Sequence, residues 1–325
     1  MRIGVIGPTA PDDFADNILD TLPRLDHEAI SIGTAQPSWH GRTGQFARQL
    51  LEYPGPLLEH WQRRLVRRAK AARVDAVISV ESALLPETVS GLRNTGARVA
   101  LWFPDHVANI GRQLMLIAPY DAIFFKDPQL VSRLTNLLDV PVYYLPEACN
   151  PSWHRPVRRD RITRQLVVAG NIYPSRLRLL ERLNKDGVPL VLYGGRTSSW
   201  LGNWEILGLH TGTYLARHEK AVVFRNAAAV LNNLHPAEMG PNARLFEAAG
   251  CGAAVLCEDR PALHELFDAD REVIFFSTYE QLLDRVRRLV EDPALTERIG
   301  DAAATRAHAE HTYDRRLVDL LERLL

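Results

Sequence analysis

Along the whole chain, short runs of β-branched and aliphatic residues alternate with longer stretches of helical periodicity. A strand followed by a crossover helix re-enters its sheet in parallel, so the alternation predicts βαβ units and helix-covered parallel sheets. The runs at 2–6, 28–32, 76–80, 98–103, 122–125 and 142–145 supply one sheet, and those at 166–169, 189–193, 229–231, 253–256 and 272–276 supply another. A length of 325 residues, roughly twice the ~150 of a typical domain, agrees with two cores. Between the two sets, Asn150-Pro151-Ser152 and Arg155-Pro156 interrupt the periodicity. The expected fold is α/β, with a doubly wound Rossmann-like domain over 1–152 and a second over 153–325, the last helix free to pack back on the first. From 277 onward the pattern is helical only. Ser277 or Thr278 caps the first helix, Asp292-Pro293 breaks the run, and an amphipathic helix over 315–325 ends it.

Composition then removes function classes. Lys+Arg and Asp+Glu both count 39, so no overall field recruits nucleic acid and no nucleic-acid partner is expected. Cys149, Cys251 and Cys257 have the spacing of neither a disulfide framework nor a zinc site, which fits a cytoplasmic, reducing location. No apolar run reaches the ~18 residues of a membrane span. The basic stretch at 61–70 reads as a solvated helix with Leu58, Trp61, Leu65 and Ala69 against a sheet, and contact with anionic lipid is the alternative. Asp268-Ala269-Asp270 resembles a metal-binding acidic pair but reads as a turn before a strand, and no histidines have paired metal-ligand spacing. No metal ion and no cofactor is expected.

In open α/β sheets ligands bind beyond the carboxyl ends of the strands, and two facing sheets are expected to share one cleft. The segment 235–252 follows a strand and opens a helix. Pro241 and Asn242 suit the first helical positions, whose free N–H groups attract phosphate, and Arg244 adds a planar cationic fork. One turn further, Glu247 is placed to accept from both hydroxyls of a ribose, so a nucleoside diphosphate would lie along the helix start. The competing reading is a capped helix with a solvated Arg–Glu pair.

Six segments in order carry a family resemblance: Leu101-Trp102-Phe103-Pro104-Asp105, Tyr144-Leu145-Pro146-Glu147-Ala148, Val168-Ala169-Gly170-Asn171-Ile172-Tyr173-Pro174-Ser175-Arg176, Leu192-Tyr193-Gly194-Gly195, Ala229-Val230-Leu231-Asn232, and Arg244 through Gly252. With them the chain resembles the CgeB-type proteins, named for a spore-maturation protein, which are nucleotide-sugar glycosyltransferases of the two-domain GT-B fold. The resemblance implies that Gly170 and Asn171 form a close backbone turn beside the diphosphate, that Arg176 pairs with it, and that Tyr193 and Gly194 wall the base. It implies donor-sugar contacts from His235 and Glu238, although Glu238 and Glu247 are separated by eight residues, one more than is usual in retaining relatives.

From the first domain it implies a catalytic role for His106, with Asp105 orienting it or acting as general base if the enzyme inverts configuration. The other reading of Asp105 is a cap for the next helix. Gly7 and Glu81, each just after a strand, are the acceptor candidates. The function expected from the resemblance is metal-independent, retaining transfer of a hexose from a nucleoside-diphosphate sugar to a hydroxyl or amine. The alternatives are a catalytically silent sugar-nucleotide-binding protein and an epimerase of the same fold.

Overall fold

The computed structural model describes residues 1–37, 55–105, 113–159, 161–195, 201–202 and 204–325. They form two compact units, Met1–Pro146 with Tyr313–Leu325, and Glu147–Thr312. The division falls after Pro146 rather than after 152 because the intervening residues are held inside the second unit. The amide of Cys149 donates to His311 O at 2.9 Å, and that of Asn150 to His154 Nδ1 at 3.0 Å.

In the first unit, β1 (Arg2–Ile6), β2 (Glu28–Gly33), β3 (Ala76–Ser79), β4 (Arg98–Phe103), β5 (Ala122–Phe125) and β6 (Val142–Tyr144) pair in the order β2-β1-β3-β4-β5-β6, all parallel. The helices around it are α1 (Phe14–Thr21), α2 (Pro56–Ala72), α3 (Pro86–Arg93) and α4 (Pro128–Leu137). Alternate residues bury opposite faces, as a helix-covered sheet requires. Val77, Val99, Leu101 and Ile123 share one core with Leu65, Ala69, Val89 and Leu92. On the other face Trp102 is fully buried, its ring 4.6 Å from Phe14 and 5.8 Å from Tyr313, its Nε1–H donated to Leu145 O at 3.1 Å.

Helix α2 buries Leu58, Leu65 and Ala69 as expected, but the fourth buried position belongs to Gln62 and not to Trp61. Gln62 donates to Ala83 O (2.8 Å) and Ala35 O (3.3 Å) and accepts from Leu85 N (2.9 Å) and Thr88 Oγ1 (2.8 Å), so a buried amide is fully satisfied. Trp61 is half-buried under the Arg64 guanidinium, 3.3 Å from its ring centre.

In the second unit, β7 (Leu166–Ala169), β8 (Leu190–Tyr193), β9 (Ala229–Asn232), β10 (Val255–Glu258) and β11 (Ile274–Phe276) pair in parallel in the order β11-β10-β9-β7-β8. The expected strands at 253–256 and 272–276 begin two residues later in the structure. Ala253 N–H closes the preceding helix end on Ala248 O, and the Glu272 carboxylate accepts from Asp268 N, so both residues serve turns. Asp268–Asp270 lies in that second turn, as read from the sequence.

The helices here are α5 (Pro174–Lys185), α6 (Arg217–Asn226), α7 (Ala243–Gly250), α8 (Tyr279–Glu291) and α9 (Pro293–Glu310). Thr278 caps α8 by accepting from Gln281 N, and Asp292 caps α9 by accepting from Leu295 N. The last helix, α10 (Tyr313–Leu324), belongs to the first unit, where Arg24 grips Asp314 with two bonds of 2.9 Å.

The chain moves from β7 outward to β8 and then crosses to β9 on the other side of β7. The carboxyl ends of β7 and β9 therefore flank the point where strand order reverses, the usual ligand position in such sheets. All three cysteines are buried, and none of them is in a disulfide. Among the described residues, no helix is long and apolar enough to cross a membrane.

Candidate functional site

Immediately after β7, Gly170 has φ +98°, and a Cβ there would overlap Nη2 of Arg244. Only glycine gives the guanidinium this close approach to the backbone. Gly170 N–H donates to Tyr193 O at 2.9 Å, and a Cβ on Gly194 would lie 2.9 Å from Gly170 O, so the ends of β7 and β8 are clasped together.

Two arginines converge on this turn. Arg176, in the first turn of α5, is 2% exposed. Its Nε donates to Asn233 Oδ1 (2.8 Å), Nη2 to Asn233 O (3.0 Å), and Nη1 to Asn171 O (2.9 Å). Burial first, and then the repulsion of Arg244, pulls its pKa down to about 9. Arg244 is half-buried and bonds Asn232 Oδ1 through Nη1 at 3.2 Å. Burial lowers its pKa too, against the opposing pull of Glu247 and, more weakly, Glu238 and Glu147. Among the described residues neither arginine makes an ion pair.

Arg244 is aimed by α7. Asn242 is the N-cap, its Oδ1 accepting from Leu245 N at 3.3 Å, and the helix begins at Ala243. Pro241 and Asn242 thus lie before the helix rather than in its first positions, because an asparagine side chain outcompetes continuation of the turn. Glu247 sits one turn in, half-buried, with Oε2 3.0 Å from Lys220 Nζ of α6.

The loop after β9 closes over the arginines. Asn233 Nδ2 donates to the Tyr173 hydroxyl at 3.1 Å, and Tyr173 packs its ring 5.4 Å from that of His235. Glu238 is buried and accepts from His235 N at 3.2 Å, while Arg260 Nε holds its backbone carbonyl at 2.9 Å.

The structure therefore brings Gly170, Asn171, Arg176, Gly194 and Arg244 together, with Tyr193 at the strand end, Asn242 capping α7, Glu247 on that helix, and His235 and Glu238 in the neighbouring loop. The residues not anticipated are Lys220, Asn232, Asn233 and Tyr173. Two consecutive amides ending an apolar central strand were the available signal for Asn232 and Asn233.

In the first unit, the close approach that Gly7 permits is occupied by Val80 and Ala15. Glu81 accepts from Ala35 N at 2.6 Å, and burial raises its carboxyl to about 7, against the hydrogen bond and Arg64. Asp105 is exposed just beyond β4, and His106 lies outside the described residues.

Residues 175–322 match a family model described as glycosyl transferase-like. No curated protein matches the sequence significantly. Among solved structures, the chain is similar to sucrose-phosphate synthase from Thermosynechococcus elongatus, at 13% identity over 99% of this chain and 97% of that one, with a TM-score of 0.67. It is equally similar to HepE from Anabaena in complex with UDP-glucose, at 12% identity over 100% of both chains and a TM-score of 0.67. A glycosyltransferase from Rickettsia africae matches at 12% identity over 99% of this chain and 97% of that one, TM-score 0.63. At these identities the likeness is one of fold, and the chain has the two-sheet, doubly wound α/β architecture of GT-B proteins.

Proposed function

We propose that the protein is a glycosyltransferase of the CgeB type that moves a hexose from a nucleoside diphosphate to a hydroxyl or amine. The observation that carries this reading is the pair Arg176 and Arg244 around the Gly170 turn, at a strand-order reversal, with no ion-paired carboxylate among the described residues. A diphosphate brings the missing negative charge. The match over residues 175–322 and the likeness to a structure holding UDP-glucose support the same donor class.

In this reading Arg244 contacts the diphosphate directly. The buried donors of Arg176 are committed to Asn233 and Asn171, so Arg176 supplies positive charge from beneath the turn. Glu247 gives Oε2 to Lys220 and its remaining lone pairs to the ribose. His235 and Glu238 face the sugar, and Tyr193 and Gly194 border the base. The acceptor is assigned to the first unit, where Glu81 offers a partly buried carboxyl.

The two guanidiniums take the leaving-group charge, which makes the reaction metal-independent. With retention, the C1–O bond to the diphosphate breaks and a C1–O bond to a hydroxyl acceptor, or a C1–N bond to an amine, forms on the same face. The acceptor proton goes to the departing phosphate oxygen. Under inversion, Asp105 becomes the candidate base. The expected setting is the cytoplasm.

Calorimetry with UDP, GDP and dTDP, with and without a chelator, tests the binding step. One of them should bind irrespective of chelator, and Arg244→Gln should weaken it about ten- to a hundredfold. Absence of binding by all three sinks the proposal. Binding of a nucleotide hexose with no nucleotide release would identify a silent binding protein, and NMR of the product anomer decides retention.

A further inference from the structure

Consecutive residues at the end of the central strand β9 hold the two arginines, and both hold them with neutral groups. Asn232, fully buried, turns Oδ1 to Arg244 Nη1 at 3.2 Å and Nδ2 to Cys257 Sγ at 3.3 Å. Asn233, 3% exposed, turns Oδ1 to Arg176 Nε at 2.8 Å, adds its backbone carbonyl to Nη2 at 3.0 Å, and is itself oriented by Nδ2 donating to Tyr173 O–H at 3.1 Å. The remaining acceptors of Arg176 are also neutral carbonyls, Asn171 O at 2.9 Å and Ala169 O at 3.5 Å.

An aspartate has nearly the same shape as an asparagine and makes a stronger bond to a guanidinium. Positions that needed only a firm anchor for an arginine would be served better by aspartate. An amide oxygen fixes the fork and leaves its charge uncancelled. A buried, uncancelled charge costs stability, so the arrangement is useful where a charged partner arrives later. The carboxylates that do act on Arg244, those of Glu247, Glu238 and Glu147, do so without an ion-pair contact among the described residues.

We infer that Asn232 and Asn233 are positioning residues which hold Arg244 and Arg176 through neutral amides so that both positive charges stay available to an incoming diphosphate. This deepens the donor-site reading above and rests on it for the identity of the anion. The inference about charge has its own readout in the ligand-free protein.

The experiment compares Asn233→Asp with Asn233→Ala, and Asn232→Asp with Asn232→Ala, by titration with UDP and inorganic pyrophosphate and by melting temperature without ligand. The Tyr173 hydroxyl, which donates to Asn233 O at 3.4 Å, can turn that proton to the new carboxylate of Asn233→Asp, so the contact between the two side chains survives the change. If the amides only anchor, aspartate keeps the contact and binds like wild type while alanine loses affinity, and the inference is overturned. If they preserve charge, aspartate weakens both ligands about tenfold or more and does so more than alanine, while the ligand-free aspartate variants melt above wild type. Should a variant at one position not fold, the pair at the other gives the same comparison. Should wild type bind neither of these nor GDP or dTDP, the donor-site reading fails. The charge inference is then decided by the melting temperatures: a rise in both aspartate variants upholds it, and no rise ends it.

Discussion

Lys220 Nζ stands 3.0 Å from Glu247 Oε2, with the two side chains only 7% and 13% exposed. The bond ties α6 to α7, the helix whose first turn carries Arg244. A carboxylate expected to serve a ribose is therefore also part of the framework that aims the neighbouring guanidinium.

Glu247→Ala would leave the Lys220 ammonium buried without that carboxylate, a change costing about 3–5 kcal/mol. Glu247→Gln keeps the volume and an acceptor, and adding Lys220→Met to Glu247→Ala should recover much of the loss. Urea denaturation of the four proteins checks this. A cost below about 1 kcal/mol for Glu247→Ala, the range of exposed pairs, would show that the ion pair carries no structural role.

Gly170→Ala should damage the site as well as the backbone. The strained φ of +98° costs about 1–3 kcal/mol, and the new methyl must displace Arg244. Gly187→Ala is the control, with φ +75° and open space around the position. Both variants should lose stability in denaturation, while only Gly170→Ala loses affinity for a nucleoside diphosphate. Equal affinities in the two would place the anion elsewhere.

Glu81 gives a pH signature. Its folded-state carboxyl titrates at about 7 instead of 4.5, so between those values the native chain holds a proton that the unfolded chain has released. Stability contributed by the protonated form is complete below pH 4.5 and is lost as pH rises through about 7. Glu81→Gln should match wild type in acid and exceed it by about 3 kcal/mol at and above neutrality, Gln still accepting from Ala35 N–H. A difference that does not change with pH would mean the carboxylate is well solvated.

The fold was largely readable because central strands such as β3, β5, β7 and β9 are buried on both faces and so appear as compact apolar runs. Strands β1, β4, β5 and β7 begin and end where the apolar runs do, while β10 and β11 shift where Ala253 and Glu272 make turn contacts invisible to periodicity. Gly170 and Arg244 could be found because helix starts and glycine turns are local patterns. The partners of the arginines could not, since Asn233 and Arg176 are 57 residues apart and nothing in either segment names the other. Gly7 shows the converse limit: a glycine after a strand signals a close approach, but the visitor proved to be Val80.

The excursion of the chain into the second unit and back has a consequence for biosynthesis. The second unit is one continuous segment whose two ends are tied at Cys149 and Thr312, whereas the first is assembled from both ends of the numbering. On the ribosome, the later-made sheet can close while the earlier-made one still waits for residues 313–325 to emerge. Until then the face of Trp102 lacks Tyr313, and the nascent first unit exposes an apolar surface that a chaperone or a neighbouring chain would meet first.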